Sequence, residues 1–142
     1  MGDCHEHDIA ITEDETNRGP SYMRHRVNHS MLEFHVAGTS FRKDSVVRAH
    51  DYYLRFRAEG QIMDALLIPE PENKYDKNAI RVMASPKVSV YIFVGYVPKD
   101  RTKEVCNWRI RHTDHTIKVR YIGDNGTRTG NLGVIIELKE VR

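Results

Sequence analysis

The sequence has few of the features that cross-link a protein by disulfides, anchor it in a membrane or direct its secretion. It has two cysteines among 142 residues, Cys4 and Cys106, whose wide separation predicts reduced thiols in an intracellular protein. No apolar run approaches the roughly 20 residues that a membrane-spanning helix needs. Residues 1–6 lack the apolar segment of a signal peptide. We therefore expect a protein that is not secreted, has no membrane partner, and lies in the cytoplasm or, in a eukaryote, the nucleus.

Motifs for metal binding and phosphate handling are also missing. The Cys-His-x-His run of residues 4–7 is not a standard zinc spacing, no Cys-x-x-Cys pair occurs, and there is no Gly-rich phosphate loop. A nuclease would need several converging carboxylates to hold metal ions, and nothing in the pattern brings the acidic residues together. Those acidic residues are Asp64, Glu70, Glu72 and Asp76. The sequence thus predicts no catalytic residue, no metal and no cofactor.

Charge is divided unevenly between an N-terminal leader and the rest of the chain. Residues 1–30 carry six acidic and three basic side chains, a net −3, and have no sustained hydrophobic period. This composition predicts a polar, His-rich, flexible tail. Residues 31–142 carry 19 basic and 14 acidic side chains, a net +5, and are expected to form one domain. A mildly basic domain suits an anionic partner such as nucleic acid, but ordinary solvated surface charge explains it equally well.

Periodic structure begins at Met31 and is mainly of the β type. Apolar alternation predicts strands at 33–38, 62–68, 79–84 and 88–97 and a hairpin of 116–122 with 132–141. Ser85 and Pro86 are assigned to a turn, and residues 46–58 suit a strand or a short helix. Pro98 predicts the start of a helix that reaches about Arg111. Short strands with regular turns predict a small barrel or a curled sheet, with that helix over one end.

Residues 70–82 hold the densest recognition chemistry in the chain. They place Tyr75, Asp76 and two Asn side chains in a tight turn before the β-favouring run 79–82. Asn and Asp favour such turns because their side chains hydrogen-bond the nearby backbone. A loop fixed by the strand behind it is a frequent position for functional residues.

Four blocks of the sequence together resemble the HIRAN domain family, which occurs in helicase-like DNA repair translocases and as a lone domain in bacteria and phages. The blocks are residues 36–41, 67–71, 73–82 and 94–98, and the Asn-x-Tyr-Asp-x-Asn-Ala-Ile run is the most specific. The resemblance covers residues 33–123 and implies an OB-like barrel. The predicted fold is therefore mainly β, a small OB-like or SH3-like barrel of about six strands with one or two helices.

The resemblance also implies binding of single-stranded DNA at its 3′ end. Tyr75 and Phe41 match the positions of stacking rings, Asp76 matches a carboxylate that accepts a hydrogen bond from the terminal hydroxyl, and basic side chains would meet phosphates. The predicted nucleic-acid-binding residues are Phe41, Arg42, Lys43, Lys74, Tyr75, Asp76, Lys77 and Lys99. The chain departs from the family at Ser40-Phe41, where end-binding members often have a basic residue and Tyr. The segment of residues 44–60 is also longer than is usual in the family.

Other interpretations stay open at this point. Asp76 can simply cap its turn, while Tyr75 and Phe41 can be core rings. The leading hypothesis is a non-enzymatic DNA-end binder in repair or replication. The alternative is a protein-interaction module of phage or mobile-element origin that inhibits or recruits a DNA-processing or defence complex, with Tyr52, Tyr53 and Phe56 as anchors. A metal-dependent nuclease is the third and weakest hypothesis.

Overall fold

The fold is mainly β, in agreement with the prediction. A computed structural model describes residues 30–124, 126 and 130–141. Within these ranges the elements are β1 (Met31–His35), α1 (Lys43–Ala58), β2 (Asp64–Pro69), β3 (Ile80–Lys87), β4 (Val90–Tyr96), α2 (Thr102–Arg111), β5 (His115–Asp124) and β6 (Leu132–Glu140). Short 3₁₀ turns, Thr39–Phe41 and Lys99–Arg101, precede the two helices. The predicted flexible tail, apart from Ser30, lies outside the described residues.

All strands are antiparallel and follow the order β1-β6-β5-β2-β3-β4. The sheet curls until the chain just after β1 reaches β4 at the opposite edge. There Ala37 and Tyr96 exchange backbone hydrogen bonds of 2.8 and 2.9 Å, while Val36 donates its N–H to Val134 of β6. The two edges therefore meet at Ala37, as expected for a small OB-like barrel.

Glycine at position 95 is required by this meeting of the edges. A Cβ at Gly95 would lie 2.3 Å from the carbonyl oxygen of Ala37 and 2.6 Å from Cγ1 of Val36. Its φ of +152° is also a conformation that other residues rarely adopt. The Gly-Tyr-x-Pro block thus includes a residue that lets β4 approach the chain after β1.

The ambiguous segment 46–58 is part of helix α1, not a strand. Val46 and Ala49 are buried, and Tyr53 and Phe56 pack against the core, so the inward residues recur at helical spacing. The helix packs across β3 to β6. Packing against the sheet therefore decides between the two conformations that local propensity leaves open. The helix predicted after Pro98 is also present, with a 3₁₀ first turn before α2.

Two local predictions are wrong. Ser85 and Pro86 lie within β3 and not in a turn. Ala84 pairs with Ile92 and Lys87 pairs with Val90, so Ser85 and Pro86 together lie opposite the single residue Tyr91 and form a β-bulge. At such a bulge the missing N–H of proline costs no ladder hydrogen bond. Cys106 is buried on α2 and disulfide-bonded, so it is not the expected reduced thiol.

Candidate nucleic-acid interface

The turn between β2 and β3 is built by its own side chains. Oδ1 of Asn73 accepts the backbone N–H groups of Tyr75 at 2.8 Å and of Asp76 at 2.9 Å. Oδ1 of Asp76 accepts the N–H of Asn78 at 2.9 Å. Asp76 thus caps the turn through one oxygen, and the Tyr75 ring projects from it with 91% of the residue exposed.

Glu70 anchors this turn to the barrel. Its Oε1 accepts hydrogen bonds from Asn73 Nδ2 at 2.9 Å and from the Tyr96 hydroxyl at 3.0 Å. Its Oε2 accepts one from Arg81 Nε at 2.6 Å and also forms an ion pair with Arg81 Nη2. Glu70 is 8% exposed, so burial of its charge is balanced by donors from the turn, from β3 and from β4.

The same contacts shift two pKa values in opposite directions. Burial is the largest influence on Glu70 and would raise its pKa, but hydrogen bonds from Asn73, Tyr96 and Arg81, with the charge of Arg81, lower it overall. Burial and the hydrogen bond to the Glu70 carboxylate raise the pKa of Tyr96. Glu70 is therefore held as a carboxylate and Tyr96 as a neutral donor.

Phe93 continues the contacts along β4. Its ring meets that of Tyr96 edge to face, with centroids 5.4 Å apart. The guanidinium carbon of Arg42 lies 3.7 Å from the Phe93 ring centroid, and that of Arg81 lies 4.2 Å from it. These are cation–π distances. An aromatic ring with two guanidinium groups over it thus lies on the outside of the barrel.

Phe41 directly precedes Arg42, which contacts this cluster. Gly38, at a φ of +79°, starts the 3₁₀ turn, whose backbone bonds run from Phe41 N to Gly38 O at 3.1 Å and from Arg42 N to Thr39 O at 3.0 Å. The turn directs Arg42 onto Phe93 and leaves Phe41 87% exposed. Neither Phe41 nor Tyr75 is a core ring.

The two predicted halves of the site are therefore connected. Contacts run from Arg42 through Phe93, Tyr96 and Glu70 to Asn73, which holds Tyr75 and Asp76. The four predicted lysines are exposed on three segments. Lys43 begins α1, Lys74 and Lys77 lie in the turn, and Lys99 begins the second 3₁₀ turn.

Glu70, Tyr96 and Phe93 were missing from the predicted site. Phe93 was within a predicted strand, and alternation with the buried Ile92 and Val94 could have placed it outward. The role of Glu70 depends on its contact with Tyr96, 26 positions away in the chain, and no local pattern encodes that contact.

Two of the acidic residues considered for a nuclease are engaged with cations. Glu70 pairs with Arg81, and Asp64 accepts a hydrogen bond of 2.6 Å from Lys118. Among the described residues no group of three or more His, Cys, Asp or Glu side chains is arranged to hold a metal ion. Neither helix in the described ranges has the length and apolar composition that a membrane crossing demands.

Comparison with known proteins gives one family match. Residues 29–139 match the family described as HIRAN domain. No curated protein and no solved structure matched the chain.

Proposed function

The chain belongs to the HIRAN domain family, and on that premise we propose that it binds single-stranded DNA at a free 3′ hydroxyl end without chemically altering the strand. Membership of the HIRAN domain family supports DNA as the class of partner. The finer assignment, to the strand end, rests on the surface around Tyr75 and Asp76. A protein that senses strand ends would act in repair or replication.

The observation that supports the proposal most is the pair of exposed rings at the two ends of one contact network. Tyr75 and Phe41 are almost fully solvent-exposed, although burial of aromatic surface is favourable. Base stacking on such rings is worth about 1–3 kcal/mol per base and tolerates any sequence. The network from Arg42 to Asn73 connects the segment that carries Phe41 to the turn that carries Tyr75.

Asp76 gives this surface its proposed selectivity. A carboxylate repels phosphate, so it suits a DNA site only where the strand offers a hydrogen-bond donor, and the terminal 3′ hydroxyl is such a donor. Oδ1 caps the turn by accepting the Asn78 N–H, which leaves Oδ2 as the proposed acceptor for the hydroxyl. A 3′ phosphate would meet the same charge and be rejected. Nearby lysines would supply the salt-dependent attraction to internal phosphates.

The direct test compares two fluorescent oligonucleotides of one sequence, ending in a 3′ hydroxyl or a 3′ phosphate. The proposal predicts tighter binding of the hydroxyl end by the intact protein. Asp76→Asn keeps an oxygen for the Asn78 N–H and should reduce the preference. Equal affinity of the wild-type protein for both ends would contradict the proposal.

One observation favours the alternative, a protein-interaction module. A cavity of about 560 Å³ lies where β2, the β3–β4 hairpin and β5 meet, and exposed apolar side chains line it. Val88 is 90% exposed, and Ile62 and Tyr91 also face solvent. Apolar surface of this kind is common at protein contacts. Capture of a DNA-processing protein that survives nuclease treatment and is lost in Val88→Asp would support this function; retention in that variant would oppose it.

A further inference from the structure

We propose that Phe93, with Arg42 and Arg81, forms a second base-binding platform that receives a nucleotide on the 5′ side of the bound strand end. This inference rests on the proposed function and extends it from the end of the strand to its path over the barrel. The ligand class is an unpaired DNA base with its adjoining phosphate. Phe93 is not one of the residues proposed to contact the strand end.

The position of Phe93 follows from the strand register. Leu66 pairs with Met83, and Met83 pairs with Phe93, so these side chains form one row across β2, β3 and β4. Leu66 is 38% exposed, and Met83 and Phe93 are each half-buried. The buried neighbours Ile92 and Val94 fix the outward direction of Phe93. The row is an apolar strip on the outer face of the barrel.

The charges over the ring favour nucleic acid as the occupant. Arg81 is paired with Glu70, whereas no ion pair of Arg42 occurs among the described residues, so Arg42 leaves one net positive charge at Phe93. A planar guanidinium can stack on a base and hydrogen-bond a phosphate in one arrangement. Because guanidinium groups already lie over the Phe93 ring, the base would stack on the outer face of the Arg42 guanidinium, which the ring supports, and its phosphate would meet the positive charge.

Continuity with the proposed site sets the order of the nucleotides. Phe93 contacts Tyr96, Tyr96 contacts Glu70, and Glu70 holds the turn that carries Asp76. If the strand terminates at Asp76, the 3′ side is closed, and only nucleotides on the 5′ side can reach Phe93. Affinity should therefore rise with oligonucleotide length until Phe93 is occupied.

The experiment measures the gain in affinity from a dinucleotide to a hexanucleotide, both with a 3′ hydroxyl, in the intact protein. Phe93→Leu keeps apolar bulk against the barrel but removes the ring, and the gain should fall about tenfold, the loss of about 1.4 kcal/mol. Phe93→Trp should retain the gain because it keeps a stacking face. Tyr121→Leu is the matched control, because the Tyr121 ring lies on β5 and meets the Tyr53 ring edge to face at 6.0 Å, a contact outside this network; its gain should equal that of the wild type.

An unchanged gain in Phe93→Leu would overturn the platform. Loss of the gain in affinity in Phe93→Trp as well would also overturn the platform, because a purely structural role of Phe93 explains such a loss. Melting temperatures identify any variant that does not fold. The proposed function fails separately, if the wild-type protein binds hydroxyl and phosphate ends equally. In that case a length gain that still depends on Phe93 would support the platform by itself.

Discussion

Glu70 is the residue on which the local geometry depends most. A buried carboxylate is unfavourable unless donors surround it, and here the turn, β3 and β4 each contribute one. Its charge also places Arg81 beside Phe93. One side chain therefore positions both the Asp76 turn and the aromatic cluster.

Substitution of Glu70 by Gln should lower stability in a pH-dependent way. Gln keeps the shape but loses the charge opposite Arg81, so the free energy of unfolding near neutral pH should fall by about 1–2 kcal/mol, an amount discounted for the partial exposure of Arg81. The folded-state pKa of Glu70 lies below its ordinary value of 4.5. Its stabilising effect is therefore fully present above that value and is lost as the pH falls through the lower pKa.

Urea unfolding of both proteins from neutral pH to strongly acidic pH checks this. The difference between wild type and Glu70→Gln should shrink as the pH falls through the pKa of Glu70. Glu104→Gln removes an exposed ion pair with Arg101 and should change stability by less than about 0.5 kcal/mol. A constant difference at every pH would show that the charge of Glu70 has no stabilising role.

At the scale of elements, the strands were predictable and their irregularities were not. Alternation of apolar residues locates the β5–β6 hairpin because that pattern is local. Helix α1 required tertiary packing to be distinguished from a strand, and the bulge at Pro86 required its partner strand. Likewise composition singles out Tyr75 and Asp76 as candidates, whereas the contacts of Phe93 and Glu70 form only when β2, β3 and β4 align.

Gly95→Ala should weaken the junction between β4 and the chain after β1. The added Cβ would meet backbone and side-chain atoms closer than 3.0 Å at a positive φ, so we expect a loss of about 2–4 kcal/mol. Gly60→Ala provides the control, because Gly60 also has a positive φ, +69°, but open space around it. Denaturant midpoints compare the two, and equal losses would show that close approach at Gly95 contributes nothing beyond backbone strain.

At the scale of the whole molecule, the proposed function brings a DNA strand onto a small barrel that has few cations near the proposed site. The segments that carry the proposed site hold seven basic side chains, Arg42, Lys43, Lys74, Lys77, Arg81, Lys99 and Arg101. Arg81 and Arg101 are paired with Glu70 and Glu104. Stacking should therefore contribute a large share of affinity, and salt a modest share.

Affinity measured against salt concentration tests this division. The logarithm of the binding constant should fall with a slope of about −0.7 for each phosphate contacted. Lys77→Gln should reduce the slope by about one contact, whereas Lys139→Gln, an exposed substitution on β6, should leave it unchanged. A slope unaffected by Lys77→Gln would remove that lysine from the interface.

The central claim, that Asp76 recognises the terminal hydroxyl, is tested most directly by a double-mutant cycle across the interface. Wild-type protein and Asp76→Asn are each titrated with one oligonucleotide that ends in a 3′ hydroxyl and one that ends in a 3′ hydrogen. We predict a coupling of about 1–2 kcal/mol between the carboxylate and the hydroxyl. A coupling indistinguishable from zero, with both proteins folded, would contradict the claim.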